Sequence, residues 1–188
     1  QEVTDALVAF PTKIWDQAVP TDPLVYRLYE VVGVYGDTLK EVIQESDSSG
    51  QAASSKFRAT IILGGQIKGS APTMFLIYPE GNFVEVTEET PFFQIGEAKY
   101  GKPILVRAYE EDMSFEDAVK LLLVSFDSTI KANLSVGLPI DLQIYESDSL
   151  KVGTEKRIED DDPFYQSIST GWGDALREAF RSLPSYQF

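Results

Sequence analysis

Apolar and polar positions along the chain follow two different periods, and the places where the period changes mark out the elements. From Leu24 onward, Val25, Leu28, Val31, Val32, Tyr35, Leu39, Val42 and Ile43 recur at the spacing of one helix face. Thr21-Asp22-Pro23 supplies the start of that helix, with Asp22 as N-cap and Pro23 at the first helical position, where a missing N–H is harmless. The helix is expected to reach about Glu45, and Ser46 to Gly50 to form a loop. Before it, Val3, Leu7, Val8 and Phe10 keep a helical spacing without an N-cap, so the chain reads as opening inside a helix.

The middle of the chain changes to strand-like runs. Phe57 to Ile67 is rich in β-formers, Met74 to Tyr78 forms a second run, and Phe83 to Val86 a third after the turn residues Pro79-Glu80-Gly81-Asn82. Pro91 to Gly96 reads as a further buried strand, and neighbours of this kind pair antiparallel. Helical spacing then returns. A short helix is predicted from Tyr100 to Ala108, with Pro103 near its start. Ser114-Phe115-Glu116-Asp117 resembles a capping box, opening a helix whose apolar side holds Phe115, Ala118, Val119, Leu122, Phe126 and Ile130. Ile140, Leu142 and Ile144 alternate as a half-buried strand that Leu150 to Ile158 can pair with. Asp162-Pro163 opens a last helix with the stripe Trp172, Ala175, Leu176, Ala179, Phe180 and Leu183. This order predicts one α+β domain over residues 1–188, with helices layered on antiparallel strands.

Composition narrows the chemistry. The 188 residues carry 16 Lys+Arg against 30 Asp+Glu, a net charge of −14. Such a chain repels phosphate backbones and anionic lipid surfaces, which excludes nucleic acid and membrane as expected partners. No apolar run approaches the ~20 residues that span a bilayer, and Gln1 to Asp5 lack a signal peptide's basic start, so the expected location is cytoplasmic. There is no cysteine and no histidine. Thiolate zinc sites, Cys nucleophiles and Ser-His-Asp hydrolysis are thereby excluded, and any hydrolase must take its base from an amine, a lysine or a carboxylate. Gly64-Gly65-Gln66-Ile67-Lys68-Gly69 lacks the spacing and the following helix of a phosphate loop, so its glycines are read as a bulge or a close backbone contact within a strand. Glu159 to Asp162 lacks the ligand spacing of a calcium loop and is read as a solvated helix start favoured by the helix dipole. No cofactor or metal is expected.

Several longer blocks carry more information. Ile62–Ile67, Phe75–Asn82, Phe93–Leu105, Val124–Thr129 and Asn133–Pro139, in this order, resemble Anbu, the bacterial ancestral β subunit of the proteasome family. The likeness is dense over about residues 57–150 and loose on the flanks. It implies an N-terminal-nucleophile hydrolase: an αββα four-layer sandwich whose terminal threonine attacks peptide bonds, with its own α-amine as base and a lysine nearby. Such chemistry needs neither His nor Cys. Gln1 offers no nucleophilic hydroxyl. The family's first strands, bearing the nucleophile, an Asp, the Lys and the oxyanion glycine, have no counterpart, and roughly fifty residues are expected to be missing by the size of such domains. As it stands the chain is expected to be inactive.

Two supporting site positions carry over. The family's Asp-x-x-Ser-Gly segment falls on Ala132-Asn133-Leu134-Ser135-Val136, which matches Ser135 to its Ser and puts Ala132 in place of its Asp, unless Asn133 substitutes by a shift of one residue. The Gly-Ser-Gly of proteasome subunits falls on Gly96-Glu97-Ala98, with Glu97 replacing the Ser. The alternatives are a loop hydroxyl at Ser135 and a helix-start carboxylate at Glu97, with Lys99 and Lys102 as solvated charges. The resemblance implies a threonine-type peptidase acting on unfolded polypeptides or peptides within a ring or spiral of its own copies, fed by an unfoldase of unknown kind. The other readings are a non-catalytic assembly protein of the same fold and an unrelated acidic α+β binding module. The wide apolar arc of the helix after Asp22, which includes Tyr26, Tyr29 and Tyr35, is expected to contribute to subunit contacts.

Overall fold

The computed structural model describes residues 28–48 and 57–188. The predicted helix at 3–10, the Asp22 cap and the first turn after it lie outside the described residues. The chain is α+β, with helices and small antiparallel sheets, and divides into two compact units, Gln1–Phe93 and Gln94–Phe188.

In the first unit, helix α1 (Leu28–Ser48) packs on a sheet of β1 (Ile61–Gly65), β2 (Thr73–Ile77) and β3 (Phe83–Glu85), ordered β1-β2-β3 and antiparallel throughout. The central strand pairs Leu63 with Phe75 on one side and Phe75 with Glu85 on the other. Phe75 and Ile77, two residues apart, put their side chains on the same face and are fully buried with Val32 and Leu39 of α1. Burying each such side chain contributes about 1.5–3 kcal/mol. Between Val32 and Leu39 sits buried Gly36, where an added Cβ would lie 2.2 Å from the carbonyl oxygen of Gly81. Gly81 belongs to the β2–β3 turn, closed by the amide of Tyr78 donating to Asn82 (2.8 Å), and holds φ at +84°, a value that favours glycine. Helix and turn therefore touch backbone to backbone.

Three expectations for this region change. The helix runs into the predicted loop as far as Ser48, whose hydroxyl donates to the Glu45 carbonyl at 2.8 Å. Gly64 and Gly65 pair in register with Met74 and Thr73 without a bulge, because the neighbouring strand accommodates them in regular pleat. Pro91 to Gly96 is irregular chain and not a strand. Its apolar residues suit a strand, but propensity cannot substitute for a neighbouring ladder, and the division between the units falls within it.

In the second unit, α2 (Lys102–Ala108) and α3 (Phe115–Ala132) precede the hairpin of β4 (Ile140–Ile144) and β5 (Thr154–Ile158), and α4 (Pro163–Ser182) follows. Caps set these helices where the sequence predicts. Ser114 accepts from the Asp117 amide, and Asp162 accepts from the Tyr165 amide ahead of Pro163. Lys156, 2.7 Å from Asp162, and that amide hold the Asp162 carboxyl below the usual carboxylate range. Leu123, Ile140, Ile158 and Tyr165 form the core, with Val119, Ile130 and Ile168 packed against it.

The buried side of α3 matches the predicted one only in part: Val119 and Ile130 pack against the core as expected. Phe115, Leu122 and Phe126 are exposed, while Leu121, Leu123, Ser125, Asp127 and Thr129 are buried. The reason is that α3 is gripped on two faces. One meets the start of α2, where a Cβ on Gly101 would lie 2.3 Å from Ser125 Oγ, and the other meets α4. Along α4 only the first part docks. Tyr165 is buried, Trp172 Nε1 donates to Ser128 Oγ at 3.2 Å, and Leu176, Phe180 and Leu183 are exposed. None of the described helices is long and apolar enough to cross a membrane.

Candidate functional site

Glu97 and Ser135 are far apart in sequence, and the second unit brings them into one hydrogen-bonded chain through Asn133. The loop ending in Gly96, at φ +79°, turns the backbone so that Glu97 precedes α2. At the other end, Asn133 is the C-cap of α3, its amide donating to the Thr129 carbonyl at 2.8 Å. Its side chain then points back. Asn133 Nδ2 donates to Glu97 Oε2 at 3.1 Å, while Asn133 Oδ1 accepts from both the amide (2.9 Å) and the hydroxyl (2.8 Å) of Ser135. The second Glu97 oxygen accepts from the Lys99 amide at 3.1 Å.

Every donor in this chain points toward Glu97. The Ser135 proton goes to Asn133, the Asn133 amide protons go to Glu97, and the negative charge ends up half-buried beside the start of α2. Aligned donors polarise one another, so the arrangement fixes each side chain more firmly than separate bonds would. It leaves the Ser135 oxygen, at the exposed end, with its lone pairs free to accept a hydrogen bond. It gives Ser135 no base, because Asn133 cannot take a proton. The serine is thus suited to orienting a donor such as an amine or ammonium, and unsuited to nucleophilic attack. Both ordinary alternatives are present in the same geometry, since Asn133 and Ser135 also form a local turn and Glu97 also caps backbone. Ala132, at the position matched to the family's Asp, is exposed and has no functional group to contribute.

A second polar cluster escaped the sequence reading. Asp127 is buried in α3 and accepts from the Tyr165 hydroxyl at 3.2 Å. Burial, then the Asp127 charge, pushes the Tyr165 phenol up to about 12. No spacing signal announces this pair, because α3 and α4 meet only in three dimensions. The pair lies in the interior of the second unit, where Tyr165 packs with Leu123, Ile140 and Ile158. Among the described residues no group of carboxylates is arranged to hold a metal ion.

Helices set on small antiparallel sheets make the chain α+β, and the structures it resembles are proteasome-like. The solved structures it resembles agree. Anbu (ancestral beta-subunit) from Yersinia bercovieri is 39% identical with a TM-score of 0.86, covering 98% of this chain and 77% of that one. Anbu from Hyphomicrobium sp. strain MC1 is 44% identical at TM-score 0.83, covering 98% and 77%. The helical assembly of the Anbu complex from Pseudomonas aeruginosa is 41% identical at TM-score 0.80, covering 87% and 67%. The chain belongs to the Anbu family.

A different likeness covers its first part. Residues 17–85 match the cyanate lyase C-terminal domain. A cyanate hydratase of Teredinibacter turnerae is 52% identical over 71 residues, which is 38% of this chain and 49% of that protein. One from Marinomonas sp. is 65% identical over 49 residues, 26% of this chain and 34% of that protein. The chain spans about half or less of the length of these curated relatives. The residues matched by that domain, 17–85, belong to the first unit, and Glu97, Asn133 and Ser135 belong to the second.

Proposed function

We propose that the chain is a proteasome-like subunit that takes part in threonine-type hydrolysis of peptide bonds in unfolded polypeptides or peptides, inside a homo-oligomer in the cytoplasm. The observation that carries this reading is the Ser135–Asn133–Glu97 chain, built on the segments that carry the Anbu likeness. In the proposed chemistry a terminal threonine hydroxyl attacks the carbonyl while its own α-amine takes the proton. The residues present here have supporting roles. The lone pairs of Ser135 Oγ receive an N–H of the ammonium that forms, Asn133 holds that hydroxyl in place, and Glu97 supplies the negative charge that favours the protonated amine. The αββα four-layer sandwich belongs to the same proposal, supported by the cores that helix and strand residues share within each unit.

The test is fluorogenic-peptide hydrolysis by the protein that carries this chain. Ser135→Ala and Asn133→Ala are each expected to lower kcat up to about 100-fold, the size of effect expected when a group that orients a reacting atom is lost. Hydrolysis unchanged by both substitutions overturns the assigned roles. Absence of hydrolysis by an assembled protein favours the non-catalytic scaffold instead.

The similarity of residues 17–85 to the cyanate lyase domain supports a second reading, in which the first unit handles cyanate. Ammonia release from cyanate by the purified protein would establish it. No release above the rate in buffer removes it and leaves the segment as a structural helix on the sheet.

A further inference from the structure

We propose that the face of α1 bearing Lys40, Gln44 and Asp47 binds the free zwitterion of a short peptide, about three residues long, with its carboxylate at Lys40 and its ammonium at Asp47. The site lies wholly within the first unit and stands apart from the hydrolysis proposed above.

Helix geometry sets the length. Positions three and four apart are neighbours on a helix surface, so Lys40, Gln44 and Asp47 form one row along α1. All three are exposed, and none of their side chains has a hydrogen-bond or ion-pair partner among the described residues. At a rise of ~1.5 Å per residue, seven residues separate the lysine and the aspartate by about 10 Å. An extended chain advances ~3.3–3.6 Å per residue, so three residues match that span. Between the two ends, Gln44 offers a carbonyl and an amide, the two groups a peptide bond pairs with.

The row forms one wall of a cleft of about 310 Å³. Ligand pockets run from ~300 to ~1,000 Å³, so this one suits small side chains. Phe57 and Arg58, ahead of β1, and Pro79 and Glu80, of the β2–β3 turn, line the rest of it. Ile43, half-buried against the core, joins Phe57 and Pro79 in supplying apolar surface. The turn is fixed on the helix, because Gly81 meets Gly36 backbone to backbone and a Cβ on Gly81 would lie 3.6 Å from Lys40 Cβ. Glu80 and Arg58 therefore belong to the Lys40 end of the row.

The two ends differ in sign. Arg58 Nη1 lies 3.5 Å from Glu80 Oε1, an exposed ion pair that contributes little and leaves the other guanidinium donors for a carboxylate. Lys40 adds a second cation there. At the other end, the last turn of α1 holds no basic residue, so the helix dipole and Asp47 act together on a cation. A simple anion meets Asp47 and a net charge of −14, and a simple cation meets Lys40 and Arg58. A neutral zwitterion with apolar side chains satisfies both ends.

Isothermal titration calorimetry on the whole protein tests this with Ala-Val-Ala, its N-acetyl form and its C-terminal amide. The free peptide is expected to bind, and blocking either end to weaken binding about tenfold, as for the loss of one hydrogen bond between charged groups. Lys40→Gln should weaken the free peptide about tenfold and make amidation nearly silent, and Asp47→Asn should do the same for acetylation. That pairing of substitution with blocked end distinguishes contact from a general disturbance of the fold. Ser135→Ala should bind the peptide as the unaltered protein does, whatever happens to hydrolysis. No binding at millimolar peptide overturns the site, as does binding that ignores both substitutions. Binding that needs the carboxylate but tolerates acetylation also overturns it, in favour of the C-terminal end of a longer chain.

Discussion

In the first unit, Val32 and Leu39 of α1 meet Phe75 and Ile77 of β2, and none of its described polar side chains is buried. In the second, Leu123, Ile140, Ile158 and Tyr165 share the interior with Ser125, Asp127 and Thr129. Both set a helix against a small antiparallel sheet, yet their demands differ. An apolar core needs shape and little else, and where α1 crosses the turn at Gly81 the shape is held by two glycines. A core with polar groups needs each one partnered, since an orphaned donor or acceptor costs the full desolvation penalty. The division also follows similarity to other proteins. The cyanate lyase likeness stays in the first unit, and the polar relay of the candidate site lies in the second.

The largest effect should come from emptying the apolar core. Phe75→Ala removes a fully buried ring that packs edge-on to Tyr29 and Phe83, with centroids 5.1 and 5.7 Å away. A loss of about 3–5 kcal/mol is expected in chemical denaturation. A loss under ~1 kcal/mol would mean that the first unit does not depend on this cluster.

Tyr165→Phe probes the polar core. The substitution leaves buried Asp127 without its tyrosine partner, and a loss of about 1.5–3 kcal/mol is expected, as for a hydrogen bond to a charged group. The pH dependence has a defined sign. Because the folded phenol titrates near 12 against an ordinary value of 10.0, its contribution is complete below pH 10 and disappears as the pH rises toward 12. Stability of the unaltered protein should fall through that window, and the Tyr165→Phe curve should fall less. Parallel curves would remove Tyr165 as the group responsible.

Two glycines of α1 sharpen the role of shape. At Gly36 a new Cβ meets the Gly81 carbonyl, and overpacking of about 1–3 kcal/mol outweighs the ~1 kcal/mol that alanine adds to a helix interior. At Gly33 nothing lies within 4 Å, so alanine there should stabilise by up to about 1 kcal/mol. Equal melting shifts for the two variants would contradict the backbone contact.

The smallest effect is expected at the cap of α4. Asp162→Ala removes the acceptor for the Tyr165 amide and should lower the melting temperature slightly at neutral pH, measured by thermal denaturation. Its carboxyl is held below the usual range, so its contribution is present above that range and is lost as the pH falls through the folded value. The variant and the unaltered protein should therefore converge in acid.

Much of this architecture could be read from local chemistry. Ser114 and Asp162 are caps whatever surrounds them, because a side-chain oxygen and the next turn's amides suffice. Residues 74–85 form a hairpin for similarly local reasons, with Gly81 able to adopt the positive φ that its turn requires. Glu97 and Ser135 were found by likeness to a family, and their amino-acid types alone would not have singled them out.

What sequence determined by itself was therefore the element order and the side chains these 188 residues can bring to chemistry. Lack of His and Cys restricts the bases and nucleophiles available, and the change of period separates helix from strand. Tertiary structure decided which face of each helix is buried. The stripe of Phe115, Leu122 and Phe126 is as apolar as the buried side of α3, yet it lies exposed because α2 and α4 hold the helix from two other directions. It also decided that Asn133 joins Glu97 to Ser135, across 36 residues of chain. Periodicity records how apolar a face is. Which face meets a neighbour depends on where the rest of the chain lies, and no local pattern encodes that position.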